Sequence, residues 1–199
     1  MRSWGKAGFA AAMLLMAVPA TAQSNASEGE IFLKAVAEKD GSKAVPLLEN
    51  PASRVVNYRG YKGDTALHIA VRNRESDWVG FLIGKGADPN IGDAQGDTPL
   101  IIAARIGFEA AASWMVERTA QVDIANRRGE TALIVAVQQR QRQIVELLLE
   151  AGANPDKADH AAGYSAREYA KRDTRSREIL KLIETAKSTK AKVAGPGIK

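Results

Sequence analysis

Three stretches of nearly the same sequence decide the fold: GDTALHIA at 63–70, GDTPLIIA at 96–103 and GETALIVA at 129–136. Their threonines lie 33 residues apart, and a looser copy, GYSAREYA at 163–170, follows one residue late. A fixed period of this length is typical of repeat architectures. In such folds no single unit can bury its apolar face alone, so neighbouring units stack and share a continuous core.

Each of these stretches reads as a turn followed by a helix. A glycine two residues before the threonine suits a turn with positive φ, and the threonine can cap the helix that follows. Pro99 falls at the first helical position, where its missing N–H costs nothing. Leu67, Ala70 and Val71 form one apolar stripe at helical spacing, which the next two units repeat. A second apolar run, clearest at 145–149, predicts a second helix in each unit.

This pattern resembles the ankyrin repeat family, whose 33-residue unit has a T-P-L-H-x-A core, two antiparallel helices and a projecting turn. The resemblance rests on GDTPLIIAARIG and on GADPN at 86–90, and it covers residues 28–184. It implies an all-α ankyrin-repeat solenoid of three full helix-turn-helix repeats with atypical capping repeats at both ends. The predicted units are 28–61, 62–94, 95–127, 128–161 and 162–184.

The first 22 residues have the pattern of a cleaved signal peptide. Arg2 and Lys6 precede an uncharged run over 7–18, and Ala20 and Ala22 give the small-x-small pattern of a cleavage site. Twelve apolar residues are too few to cross a bilayer of about 30 Å as a helix. We expect cleavage after Ala22, a linker over 23–27, no membrane insertion of the mature chain, and a periplasmic location, with secretion as the alternative.

The positive charge of the chain lies at its ends. The formal net charge is +5, and removing Arg2 and Lys6 leaves +3. Residues 185–199 carry four lysines and no acid, so residues 23–184 sum to −1. We expect this basic tail to be disordered, and the balance of the body does not support a nucleic-acid partner. The chain contains no cysteine, which excludes disulfides and thiolate chemistry.

His68, in the first repeated stretch, raises the question of catalysis. Its position holds Ile101 and Ile134 in the next two units, and the acid and hydroxyl beside it recur there without a histidine. The family resemblance implies that this histidine is structural and bonds to the backbone of the adjoining turn. His160 is expected in an exposed loop. We therefore predict no enzyme, no catalytic residue, no metal site and no cofactor.

The resemblance implies that function resides on a concave surface made of the turn tips and the exposed side of each first helix. We expect a non-catalytic, monomeric module that binds a protein partner there. The alternatives are an auxiliary factor of an exported enzyme, for instance in oxidative defence, and a secreted effector that acts on a host protein. The predicted contact residues are Tyr61, Lys62, Asp64, Arg72, Asn73, Gln95, Asp97, Arg105, Arg127, Arg128, Glu130, Gln138 and Gln139.

Overall fold

The computed structural model describes residues 20–49, 54–118 and 120–193. Within these ranges the chain is helical and contains no β-strand, as the period predicted. Short 3₁₀ turns at Val55–Asn57 and Thr174–Ser176 lie between helices. The helices are α1 (Ala20–Ala37), α2 (Gly41–Glu49), α3 (Ala66–Arg72), α4 (Ser76–Gly84), α5 (Pro99–Ile106), α6 (Glu109–Arg118), α7 (Ala132–Gln138), α8 (Arg142–Glu150), α9 (Ala166–Arg172) and α10 (Arg177–Val193).

The helices form two layers. The first helices of successive units, α1, α3, α5, α7 and α9, pack side by side, and α4, α6, α8 and α10 form the second layer. Leu67, Leu100 and Leu133 are fully buried at the same position of three successive units. Small residues such as Ala103 and Ala136, also fully buried, let the first helices approach one another closely. The core is therefore continuous along the stack, as expected of a repeat solenoid.

The predicted helix starts are present. The hydroxyl of Thr98 accepts a hydrogen bond from the Ile101 N–H, and Thr131 caps α7 through the Ile134 N–H, each at 3.3 Å. Pro99 is the first residue of α5. The glycines before these caps adopt positive φ in all four copies of the turn. The local signals read from the sequence therefore agree with the tertiary fold.

Both ends of the described chain differ from expectation. α1 includes residues 23–27, which we predicted to be a linker, and it begins within the predicted signal peptide, the rest of which lies outside the described residues. α10 runs to Val193, into the tail that we predicted to be disordered. The physical reason is local, because neither segment contains glycine or proline, and the alanines and lysines of 185–193 are good helix formers.

Two rows of hydrogen bonds tie neighbouring units together. At the turn tips, the N–H groups of Ala94, Arg127 and His160 each donate to a carbonyl of the preceding turn tip at 2.8–3.0 Å. A second row lies in the loops that follow the outer helices. There a side-chain oxygen accepts a backbone N–H from the next unit, at Asn57, Asn90 and Asp123. These bonds fix the spacing between turn tips that project into solvent.

Candidate functional site

The surface that the family resemblance implies to be concave, here called the concave face, consists of the turn tips at 61–62, 94–95, 127–128 and 160–161 and the outward sides of α3, α5, α7 and α9. All predicted contact residues on it are at least partly exposed except Asp97 and Glu130. Those two side chains are 7% and 6% exposed, so our expectation that they contact a partner directly is corrected. They are buried because donors enclose each carboxylate: Arg105 and the Asn126 of the following turn at Asp97, and Asn126 and Arg128 of the same turn at Glu130.

Arg72 joins two acidic side chains from neighbouring units. Its Nη1 lies 2.6 Å from Asp64 Oδ1, a charge contact without hydrogen-bond angles, and its Nη2 donates to Asp93 Oδ2 at 2.7 Å. The other oxygen of Asp93 accepts the backbone N–H groups of Gln95 and Asp97 at 2.8 and 3.0 Å. Asp93 therefore shapes its turn and holds the guanidinium of the preceding unit at the same time.

Asp97 is the centre of the next cluster. Arg105 donates to both of its oxygens, at 2.5 and 3.0 Å, and Asn126 Nδ2 donates to Oδ1 at 2.8 Å. Burial raises the pKa of Asp97, but these hydrogen bonds and the positive charge of Arg105 together outweigh burial. The pKa of Asp97 therefore lies below its ordinary value. The hydrogen bond with Asp97 in turn raises the pKa of Arg105. The pair stays ionised at neutral pH.

In the third full unit, Glu130 neutralises Arg128. Arg128 Nε and Nη2 donate to Glu130 Oε2 at 3.1 and 2.6 Å, and Asn126 donates to the same oxygen. Arg72, Arg105 and Arg128 are three of the predicted contact residues, and each of them is paired with an acid of the protein itself. The positive charge available to a partner is therefore smaller than the count of arginines indicates.

A shallow groove of about 580 Å³ lies at the first two turn tips. Tyr61 is fully exposed beside it, and Lys62 has no ion pair among the described residues. Tyrosine offers a large, rigid contact area and is enriched among residues that dominate binding energy. The groove is lined by Tyr61, Lys62, Asp64, Arg72, Asp93, Ala94 and Gln95.

His68 is a structural residue, as the family resemblance implied. It is fully buried, and its Nδ1 accepts the Thr65 backbone N–H at 3.1 Å. That nitrogen must be unprotonated, so Nε2 carries the hydrogen and donates to the Asp97 carbonyl at 3.0 Å. Burial is the main cause that lowers the pKa of His68. The imidazole is neutral and fully engaged, whereas His160 lies exposed in its loop, as predicted.

The buried imidazole makes stability depend on pH. Because the pKa of His68 is lower in the folded state, the unfolded chain binds the proton first as pH falls. This contribution to stability is complete above the unfolded pKa of about 6.5 and is lost as pH falls below it, by up to about 1.4 kcal/mol per pH unit. We expect His68→Ile, the residue type of the next two units, to remove this slope in urea titrations between pH 7.5 and 5.5.

His160→Gln is the matched control, since it removes an exposed histidine and is expected to leave the slope in place. Equal pH dependence of the wild-type protein and His68→Ile would contradict the assignment of the buried neutral imidazole.

The sequence reasoning missed the residues that organise the turns. Asn126 accepts the backbone N–H groups of Arg128 and Glu130 through Oδ1, as Asp93 does in the preceding turn. Asp159 accepts three turn amides, at 2.8–3.1 Å. Asp93, Asn126 and Asp159 lie 33 residues apart, so the 33-residue repeat contains a polar position that indicates this role.

The described part of the chain contains no group of three or more acidic or histidine side chains that could hold a metal ion. None of the helices in that part has the length and apolar character needed to traverse a bilayer.

Comparison with known families agrees with the geometry. A model of ankyrin repeats (3 copies) matches residues 77–159, and a model of ankyrin repeats (many copies) matches residues 47–103. Together they cover the three full units and part of the first capping unit. No match was found among curated proteins. The repeated helix pairs, the projecting turns and these two matches lead to one conclusion: the chain belongs to the ankyrin repeat family.

Proposed function

We propose that this protein is a non-catalytic module that holds a segment of a partner protein on its concave face. Ankyrin repeats are generally protein–protein interaction modules, which supports the class of function. One observation carries the proposal for this face. The core position at 67, 100 and 133 is leucine in all three full units. The outward position near the end of each first helix, which we call the outward column, is Arg72, Arg105, Gln138 and Arg172. A rigid frame thus presents long polar side chains, mostly arginine, on its outward side.

The exposed turn tips are the best candidates for contact. Tyr61 and Lys62 lie at one end of the row, and Arg127, two tips further on, has no ion pair among the described residues. Their backbones are held by the hydrogen bonds between tips, so little conformational entropy is lost when a partner binds. By contrast, charge reversal at Arg105 or Arg128 would place a carboxylate beside Asp97 or Glu130 and would destabilise the fold.

The test is affinity capture with the double variant Tyr61→Ala/Arg127→Gln. We expect at least about tenfold less of the captured protein, identified by mass spectrometry, because truncation of such residues commonly costs 1–2 kcal/mol of binding energy. The helical circular dichroism signal should not change, since both side chains are exposed. Arg118→Gln, an exposed charge at the end of α6 in the second layer, is the control and should capture normally. Equal capture by Tyr61→Ala/Arg127→Gln and by Arg118→Gln would contradict the proposal.

We also propose that the chain is exported. The support is the basic start, the short apolar run and the small residues before Ala22. N-terminal sequencing of the protein from cells tests this, with Gln23 expected as the first residue and Met1 as the contradicting result. Recovery from culture medium would favour the effector role, and co-purification with an exported enzyme would favour the auxiliary role.

A further inference from the structure

The outward arginine column changes character at its last member. Arg72 is neutralised by the acid eight residues before it and by the turn of the next unit. In the last unit, the position of that acid is occupied by Tyr164, and among the described residues no turn of a following unit lies against α9 to supply a carboxylate. No acidic side chain of the described chain lies within ion-pair distance of Arg172. The two carboxylates that Arg72 receives are therefore both missing at Arg172.

The guanidinium of Arg172 is nevertheless held in place. Its Cζ lies 4.4 Å from the centroid of the Tyr164 ring, a cation–π contact. Tyr169 meets the same ring edge-on at 5.6 Å and donates its hydroxyl to Asp159 Oδ2 at 2.5 Å. Asp159 is itself buried and fixed by three turn amides. A chain of contacts that starts at the buried Asp159 thus orients an exposed arginine.

A groove of about 410 Å³ lies next to this arginine at the C-terminal end of the concave face. Its one acid, Asp173, is engaged by Arg140 at 3.2 Å and by Arg175 at 3.3 Å. Among the lining residues, two arginines and one aspartate give the groove a local charge of +1. The lining residues are Val137, Gln138, Tyr169, Arg172, Asp173 and Arg175.

We propose that this groove binds a carboxylate side chain from an acidic segment of the partner protein, with Arg172 as the main contact. The proposal rests on the proposed function and adds the chemistry of the partner. A planar guanidinium with both terminal nitrogens open matches a carboxylate in two parallel hydrogen bonds. Prior stacking on Tyr164 reduces the side-chain entropy lost on binding. Gln138, in the lining, can donate a further hydrogen bond.

An acidic protein segment fits better than the other anionic partners. A nucleic acid needs an extended basic face, but Arg72, Arg105 and Arg128 on this face are already neutralised. A lipid surface needs several basic residues close to one plane. In this groove the uncompensated charge is the single guanidinium of Arg172, which fits one carboxylate group and its immediate neighbours in an extended peptide.

The experiment uses the full chain and a fluorescein-labelled oligoglutamate peptide of about eight residues, titrated by fluorescence anisotropy at low salt. We expect Arg172→Gln to weaken binding about tenfold, as loss of a bidentate charged pair commonly does. Arg172→Lys should give an intermediate loss of binding, because lysine keeps the positive charge but cannot donate two parallel hydrogen bonds from a planar group. Lys171→Gln removes the same charge from the same helix outside the groove and should stay within about twofold of wild type.

Three results would overturn the proposal: equal peptide binding by the wild-type protein and Arg172→Gln, an equal loss in Lys171→Gln, or tighter Arg172-dependent binding of an oligothymidylate than of the peptide. A thermal melt of Arg172→Gln that matches the wild type confirms that the variant is folded. Failure here is distinct from failure of the proposed function. If the capture experiment succeeds while Arg172→Gln binds the peptide normally, the concave face binds a partner without this groove.

Discussion

Leu133→Ala is expected to lower the free energy of unfolding by about 3 kcal/mol. Leu133 is fully buried in α7, which packs against α5 on one side and α9 on the other. Truncation removes apolar contacts and leaves a cavity that the flanking helices cannot close without shifting their own neighbours. Urea titration monitored by circular dichroism measures the change. Because stability in a stack is shared between adjacent units, the transition should also become less cooperative.

Leu147→Ala is the matched control. It removes the same atoms from α8 in the same unit, but Leu147 is only partly buried. We expect a cost of about 1 kcal/mol, in proportion to the smaller apolar area that the leucine shields from water. Equal costs for the two variants would contradict the assignment of Leu133 to a core shared between units.

Gly129→Ala is expected to cost about 3 kcal/mol, of which about 1 is backbone strain. Gly129 has a φ of +79°, and a Cβ on it would lie 2.6 Å from the backbone nitrogen of His160 and 2.7 Å from its ring. That nitrogen donates to the Arg128 carbonyl at 2.8 Å and joins two turn tips. Relief of the clash therefore requires movement that breaks the connection. The same urea titration measures the loss.

Gly163→Ala separates strain from the clash. Gly163 holds the same position in the last unit with a φ of +69°, but a Cβ on it would meet nothing within 4 Å. We expect only the strain cost of about 1 kcal/mol. If both alanine variants lose the same stability, the close approach of neighbouring turn tips does not contribute.

The fold could be predicted from the sequence because its signals are local and repeated. A glycine, a threonine cap and an apolar stripe each act within a few residues, and three copies at one spacing exclude chance agreement. The role of His68 followed in the same way, since the chain itself offers isoleucine at that position in two other units. The ends were less predictable, because a single segment such as 185–193 has no second copy against which to test it.

The binding surface could not be predicted to the same depth. Arg72 and Arg172 occupy the same position in the repeat, yet one contacts two carboxylates and the other lies on a tyrosine ring. Asp93, which neutralises Arg72, is 21 residues away in the chain and comes close only because the units stack. Asp97 was predicted to lie on the surface, because its partner Asn126 is 29 residues away and comes close only in the stack.

The sequence by itself determined that this chain is a stack of helix pairs, which residues form the core and where the first helix of each full unit begins. These properties depend on short-range geometry and on apolar side chains that repeat at fixed positions. Only the tertiary structure decided which charged groups are available to a partner. Availability depends on what lies opposite each side chain across the boundary between units, and an ion pair of that kind has no local sequence signal.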